Sequence, residues 1–200
     1  MTRVWSARIA GFTFLFYIAV GVTELVLRGH GFSTGTTAVK LARGGQQAAA
    51  LVLAVTLYTI TRDAGPVLAF AGMICRVLEG LGGTIASLLN VRWNSNAIFF
   101  ALGSTLFSWL FLRGRMIPAA LAWLGFVASV LLVVILPLQF VGLFGGVANW
   151  FSAVTWLVWL PMLVFEVTLA LWLIIKGVAI PLPNASLTLS TAQTRSPGSL

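Results

Sequence analysis

Arg76 and Glu79 stand three positions apart in AGMICRVLEGLGG, inside a run otherwise suited to lipid. Glu166 lies in a second such run, PMLVFEVTLALWLII, and Glu24 lies toward the end of a third. An ionised side chain facing acyl chains costs ~3 kcal/mol or far more. Such residues are therefore expected to face protein or a water-filled cavity and to pair with one another. Gly72, Arg76, Glu79 and Gly83 recur at i, i+4, i+7 and i+11, which is one face of a helix. Small residues above and below the charges let a second helix approach closely.

Depth then suggests a partner. Arg76 is ten residues from Pro66, roughly 15 Å along a helix, and Glu166 is ten residues from Lys176, again roughly 15 Å. The two are expected at matched height, with Arg76 meeting Glu79 and Glu166. Three carboxylates (Glu24, Glu79 and Glu166) then face one arginine, an excess of two negative charges. Charge balance predicts that at least one glutamate holds a proton or a cation at neutral pH.

The elements that must position these groups follow from composition. The 200 residues are 60% hydrophobic and 8% charged, with a mean hydropathy of +1.03. Soluble domains carry about 25% charged residues, so this chain lacks the polar surface to cover a water-facing globule. Several apolar runs reach the ~20 residues that cross a bilayer. The reading is all-α: a polytopic membrane helix bundle of six transmembrane helices over residues 1–177, with a polar, Pro/Ser/Thr-rich tail over 178–200. The spans are expected at 7–27, 47–61, 66–89, 97–112, 117–138 and 155–176. Residues 28–46 read as an external loop, and 139–153, uncharged and rich in Phe, Trp and Gly, as an interfacial segment. Pro66 and Pro118 suit helix starts, Asp63 is placed to cap the third helix, and Pro161 is expected to kink the sixth. The first run carries no small-x-small cleavage pattern, so it is expected to be a retained anchor.

The formal charge of +8 is dispersed rather than gathered into a patch, which argues against nucleic acid. Arg3, Arg8, Arg62, Arg113, Arg115, Lys176 and Arg195 fall on one side of the expected topology. Arg28, Lys40, Arg43 and Arg92 fall on the other. The excess places both termini in the cytoplasm. Arg8, Arg113, Arg115 and Lys176 are read as topology and interface residues. Asn184-Ala185-Ser186 matches a glycosylation acceptor but lies on the wrong side.

Catalysis finds little support. His30 is the single histidine and Cys75 the single cysteine, so no zinc set or disulfide can be assembled. No nucleophile–base set or aspartyl pair is visible, Gly80, Gly82 and Gly83 read as packing within a helix, and no cofactor is implied. The expected partners are the lipid bilayer and a small ion or solute. Two readings stay open for the Arg/Glu cluster. In the first, a non-catalytic membrane protein uses it structurally or to sense a ligand. The alternative is a proton- or ion-linked carrier or channel using the intramembrane glutamates.

Four segments, in order and spacing, resemble an integral membrane family. They are ARIAGFTFLFYIAVGVTELVLR, ICRVLEG, FLRGRMIPAALAWLG and FEVTLALWLIIKG. The family is catalogued as domain of unknown function four-three-eight-six, and the resemblance covers roughly residues 7–177. It implies a six-helix bundle in the cytoplasmic membrane, with Arg8, Arg76, Glu79 and Glu166 at its polar positions, and no activity. The short second helix and the lack of acidic residues in the last outer loop depart from that pattern.

Overall fold

The structure, a computed structural model, describes residues 3–89, 96–143 and 153–179. Arg92, residues 144–152 of the aromatic segment, and the tail from 180 on, with Asn184 and Arg195, lie outside the described residues. The described residues form six helices: α1 (Arg3–Gly29), α2 (Thr37–Thr61), α3 (Pro66–Leu88), α4 (Asn96–Arg113), α5 (Ala119–Phe140) and α6 (Ala153–Ile175). Five of them, α1, α3, α4, α5 and α6, are long and apolar enough to cross a membrane.

The largest departure from expectation is α2. It begins at Thr37 rather than near Gln47, so most of the expected loop is helical and the α1–α2 connection shrinks to residues 30–36. The segment TAVKLARGGQ carries two cations and a glycine pair, which weaken local helix preference and apolar periodicity. Packing on α1 compensates. Val39 and Ala42 are buried, and Arg43 pairs with Glu24 at 2.7 Å. The same polar half keeps α2 out of the apolar set.

Each helix packs on the next in sequence, and α6 returns to α1, so the bundle closes into a ring. The chain alternates direction around it. At one end Asp63, after α2, pairs with Arg3 at the start of α1. The backbone N–H of Ala179, past α6, donates to the carbonyl of Met116 before α5 at 3.0 Å. This end gathers Arg3, Arg62, Arg113, Arg115 and Lys176. Arg8, Arg113, Arg115 and Lys176 are all exposed. Asp63 engages Arg3 and Arg62, and Pro118 precedes α5 as its N-cap instead of opening it. Pro161 sits within α6, as Pro137 does within α5.

Glycine sets the interhelical distances. A Cβ on Gly11 would stand 2.7 Å from the Ala170 carbonyl oxygen, and one on Gly125 would enter the Phe165 ring at 2.4 Å. These mark close approaches of α1 and α5 to α6. Gly72 faces the Phe107 ring and Gly80 the Gln47 carbonyl, seating α3 between α4 and α2. Small residues at such contacts give the van der Waals packing that associates helices in lipid. The outer surface keeps Phe12, Val55, Phe70, Trp123, Leu157 and Leu171 exposed, an apolar coat that suits a bilayer and not water.

Candidate functional site

Arg76 is 1% exposed, the bulkiest fully buried side chain among the described residues. Four helices surround it. From its own helix, Glu79 Oε2 accepts from Nη1 at 2.9 Å. From α4, Ser104 Oγ accepts from Nη2 at 3.1 Å, and the Phe100 ring lies 4.7 Å from the guanidinium carbon. From α1, the Phe14 ring lies at 5.9 Å. From α6, Glu166 Oε1 stands 3.8 Å from Nη2, close enough for attraction and too far for a hydrogen bond. The arginine stem lies against α4 at Gly103, where a Cβ would stand at an ordinary contact distance of 3.5 Å from Arg76 Cγ.

The second carboxylate oxygen of Glu79 accepts 2.6 Å from the Tyr17 hydroxyl on α1. Glu79 is therefore held on both oxygens, by an arginine and a phenol. Charge-assisted bonds of this kind are roughly twice as strong as neutral ones. Glu166 is different. Its Oε1 is buried without a hydrogen-bond partner, and so is Arg76 Nε. The centre is tightly satisfied on one side and loose on the other.

The expected grouping is thus brought together for Arg76, Glu79 and Glu166 and not for Glu24. Glu24 lies beside Arg43 instead, because α2 extends upward and presents that cation a helix turn above Gln47. The charge count at the centre changes with it: two carboxylates face one arginine, an excess of one. Arg8, placed among the polar positions, is exposed at the far end and is not among the partners of the cluster. Tyr17, Ser104, Phe14 and Phe100 were missed from the sequence. Tyr17 is the one tyrosine of α1, within the otherwise apolar stretch FLFYIAV, and was the one available signal.

Above the cluster the ring encloses a cavity of about 880 Å³. Tyr17, Glu79 and Glu166 form its floor. Ile18, Leu25, Phe100, Trp156 and Met162 are among its walls, and Glu24, Arg28, Lys40 and Arg43 stand at its mouth. The volume is that of sites that enclose small molecules, ~300–1,000 Å³. Floor and mouth share one lumen but lie on different turns: Tyr17 and Glu24 are seven residues apart on α1, roughly 10 Å. Among the described residues no group of three or more His, Cys, Asp or Glu is placed to hold a metal ion. The exposed His30 ring bonds to the Val26 carbonyl at 2.9 Å.

An all-helical bundle with five membrane-length apolar helices, an apolar coat and charges confined to its centre and ends is a polytopic membrane protein. Residues 85–177 match the model of the family described as Domain of unknown function (DUF4386), the family that the four motifs resemble. The match takes in Arg113, Arg115, Glu166 and Lys176, whereas Tyr17, Arg76 and Glu79 precede it. No curated protein and no solved structure matches the chain.

Proposed function

We propose that this protein is a non-catalytic receptor in the cytoplasmic membrane that binds a small polar molecule in the cavity between its helices. All six helices span the bilayer in this reading, α2 included. Its second half turns Val52 and Val55 outward while burying Leu53, Leu57 and Ile60. The excess of lysine and arginine at the Arg113–Lys176 end supports cytoplasmic termini. The cavity then opens to the opposite face of the membrane.

The observation that carries the reading is the floor. A carboxylate 5% exposed, with one oxygen unpartnered, closes an open lumen. A purely structural network is expected to satisfy its members, because partial satisfaction in a low dielectric is costly. The test is a thermal-shift screen of polar solutes against purified wild type and Glu166→Gln. A solute that raises the wild-type melting temperature, leaves that of the variant unchanged and is recovered chemically intact supports the reading. Turnover of the solute would overturn it.

A second reading, proton- or ion-linked transport, draws on α4. Ser108 lies one turn beyond Ser104 toward the cationic end, 1% exposed, with its hydroxyl unpartnered. The polar line therefore continues below Arg76. In proteoliposomes this reading requires solute or proton flux that Glu79→Gln and Glu166→Gln abolish with the fold intact.

A further inference from the structure

The sign of charge reverses along the cavity. At the floor, Glu79 and Glu166 face one cation, Arg76, a formal balance of −1. At the mouth, Arg28, Lys40 and Arg43 face one carboxylate, Glu24, a formal balance of +2. Glu24 and Arg43 neutralise each other, and among the described residues Arg28 and Lys40 make no ion pair. The wall between is apolar and aromatic. A simple cation would meet the mouth unfavourably, and a simple anion the floor. Glu166 Oε1 adds a specific demand, since it is buried and lacks a donor.

We infer that the cavity takes an elongated zwitterion, its ammonium group at Glu166 and Glu79 and its carboxylate or phosphate at Arg28, Lys40 and Arg43. Its two charges lie roughly 10 Å apart, the rise over the seven residues from Tyr17 to Glu24, the level at which Arg43 meets Glu24. An ammonium group supplies the N–H donor that Glu166 Oε1 lacks. An apolar chain between the charged ends fits walls of Ile18, Leu25, Phe100 and Met162. A free ω-amino acid or a short apolar peptide has this chemistry, whereas a phosphatidylethanolamine headgroup, with a single ethylene unit between ammonium and phosphate, is too short to span the two ends. The inference rests on the cavity being open to solutes, as proposed above.

The probe is 8-aminooctanoate, with octylamine and octanoate as single-charge controls. Binding to the full chain in maltoside micelles is followed by tryptophan emission, since Trp156 lines the cavity, and by calorimetry. The zwitterion is expected to bind at least tenfold more tightly than either control. Glu166→Gln should lower its affinity at least tenfold. Arg28→Ala with Lys40→Ala, both exposed and so tolerant of change, should remove its advantage over octylamine alone. Equal binding of the three probes, or unchanged affinity in the mouth variant, would overturn the inference.

Phosphatidylethanolamine in phosphatidylglycerol nanodiscs, whose headgroup charges are too close to reach both ends, should not compete with the probe; competition would overturn the charge spacing inferred for the ligand. A second measurement separates this inference from the reading beneath it. In a Cys75→Ser background, Thr84→Cys lines the cavity and should react with a water-soluble maleimide. Labelling without zwitterion preference sinks the inference alone, whereas no labelling sinks the open cavity with it.

Discussion

Tyr17 on α1 donates a 2.6 Å hydrogen bond to Glu79 on α3, across the inside of a ring in which those helices are not neighbours. The bond holds the glutamate that Arg76 also binds. It thereby links the first helix to the charged centre.

Tyr17→Phe removes that donor and leaves a buried carboxylate oxygen unpaired. A hydrogen bond to a charged group contributes about 1.5–3 kcal/mol, so a loss of that size is expected. Chemical unfolding in mixed micelles measures it. A change under 0.5 kcal/mol would mean that water replaces the hydroxyl from the cavity.

Arg76→Ala is expected to cost about 3–5 kcal/mol, because it strands two buried carboxylates without their cation. Arg76→Met combined with Glu79→Gln and Glu166→Gln removes all three charges and should recover most of that loss. The comparison separates the worth of the cluster from the cost of breaking it. If the triple variant is as unstable as the single, packing around the arginine stem and not charge is what matters.

Two glycines should respond in opposite senses to alanine. At Gly11 the new methyl would collide with the Ala170 backbone at 2.7 Å. Overpacking of that kind costs about 1–3 kcal/mol. At Gly44, on α2, nothing lies within 4 Å, and alanine in a helix gains up to about 1 kcal/mol over glycine. Melting temperatures of Gly11→Ala and Gly44→Ala should therefore fall and rise. A rise at Gly11 would show that α6 is free to withdraw from α1.

Arg115 holds φ at 47° in the turn between α4 and α5. A side chain in the left-handed region costs roughly 1–3 kcal/mol, and glycine carries no such penalty. Arg115→Gly is expected to raise the melting temperature, while Arg113 and Lys176 keep that end cationic. A fall would mean that the exposed guanidinium makes a stabilising contact with headgroups.

Part of the site could be read before folding because Arg76 and Glu79 share one helix. Arg76, Glu79, Gly72 and Gly83 fall on one face by spacing alone, and Glu166 follows from counting turns. Glu24 misled, because its partner Arg43 stood in a segment taken for a loop. Tyr17 and Ser104 gave little signal. A tyrosine or serine in an apolar helix becomes informative only once the arginine it faces is known.

The length of each apolar run, set against the rise of a helix and the thickness of a bilayer, pointed from sequence to six spans, and five of the six helices are long and apolar enough to cross a membrane. The cost of a lone charge in lipid determined that Arg76 turns inward. Closure of α6 onto α1 decided the rest. It chose Tyr17 as the third member of the charged centre, moved Glu24 out to Arg43, and left a lumen whose two ends carry opposite charge. The physical reason is one of range. Periodicity along a helix reports which face is apolar, but which helices meet across that face depends on contacts far apart in the chain.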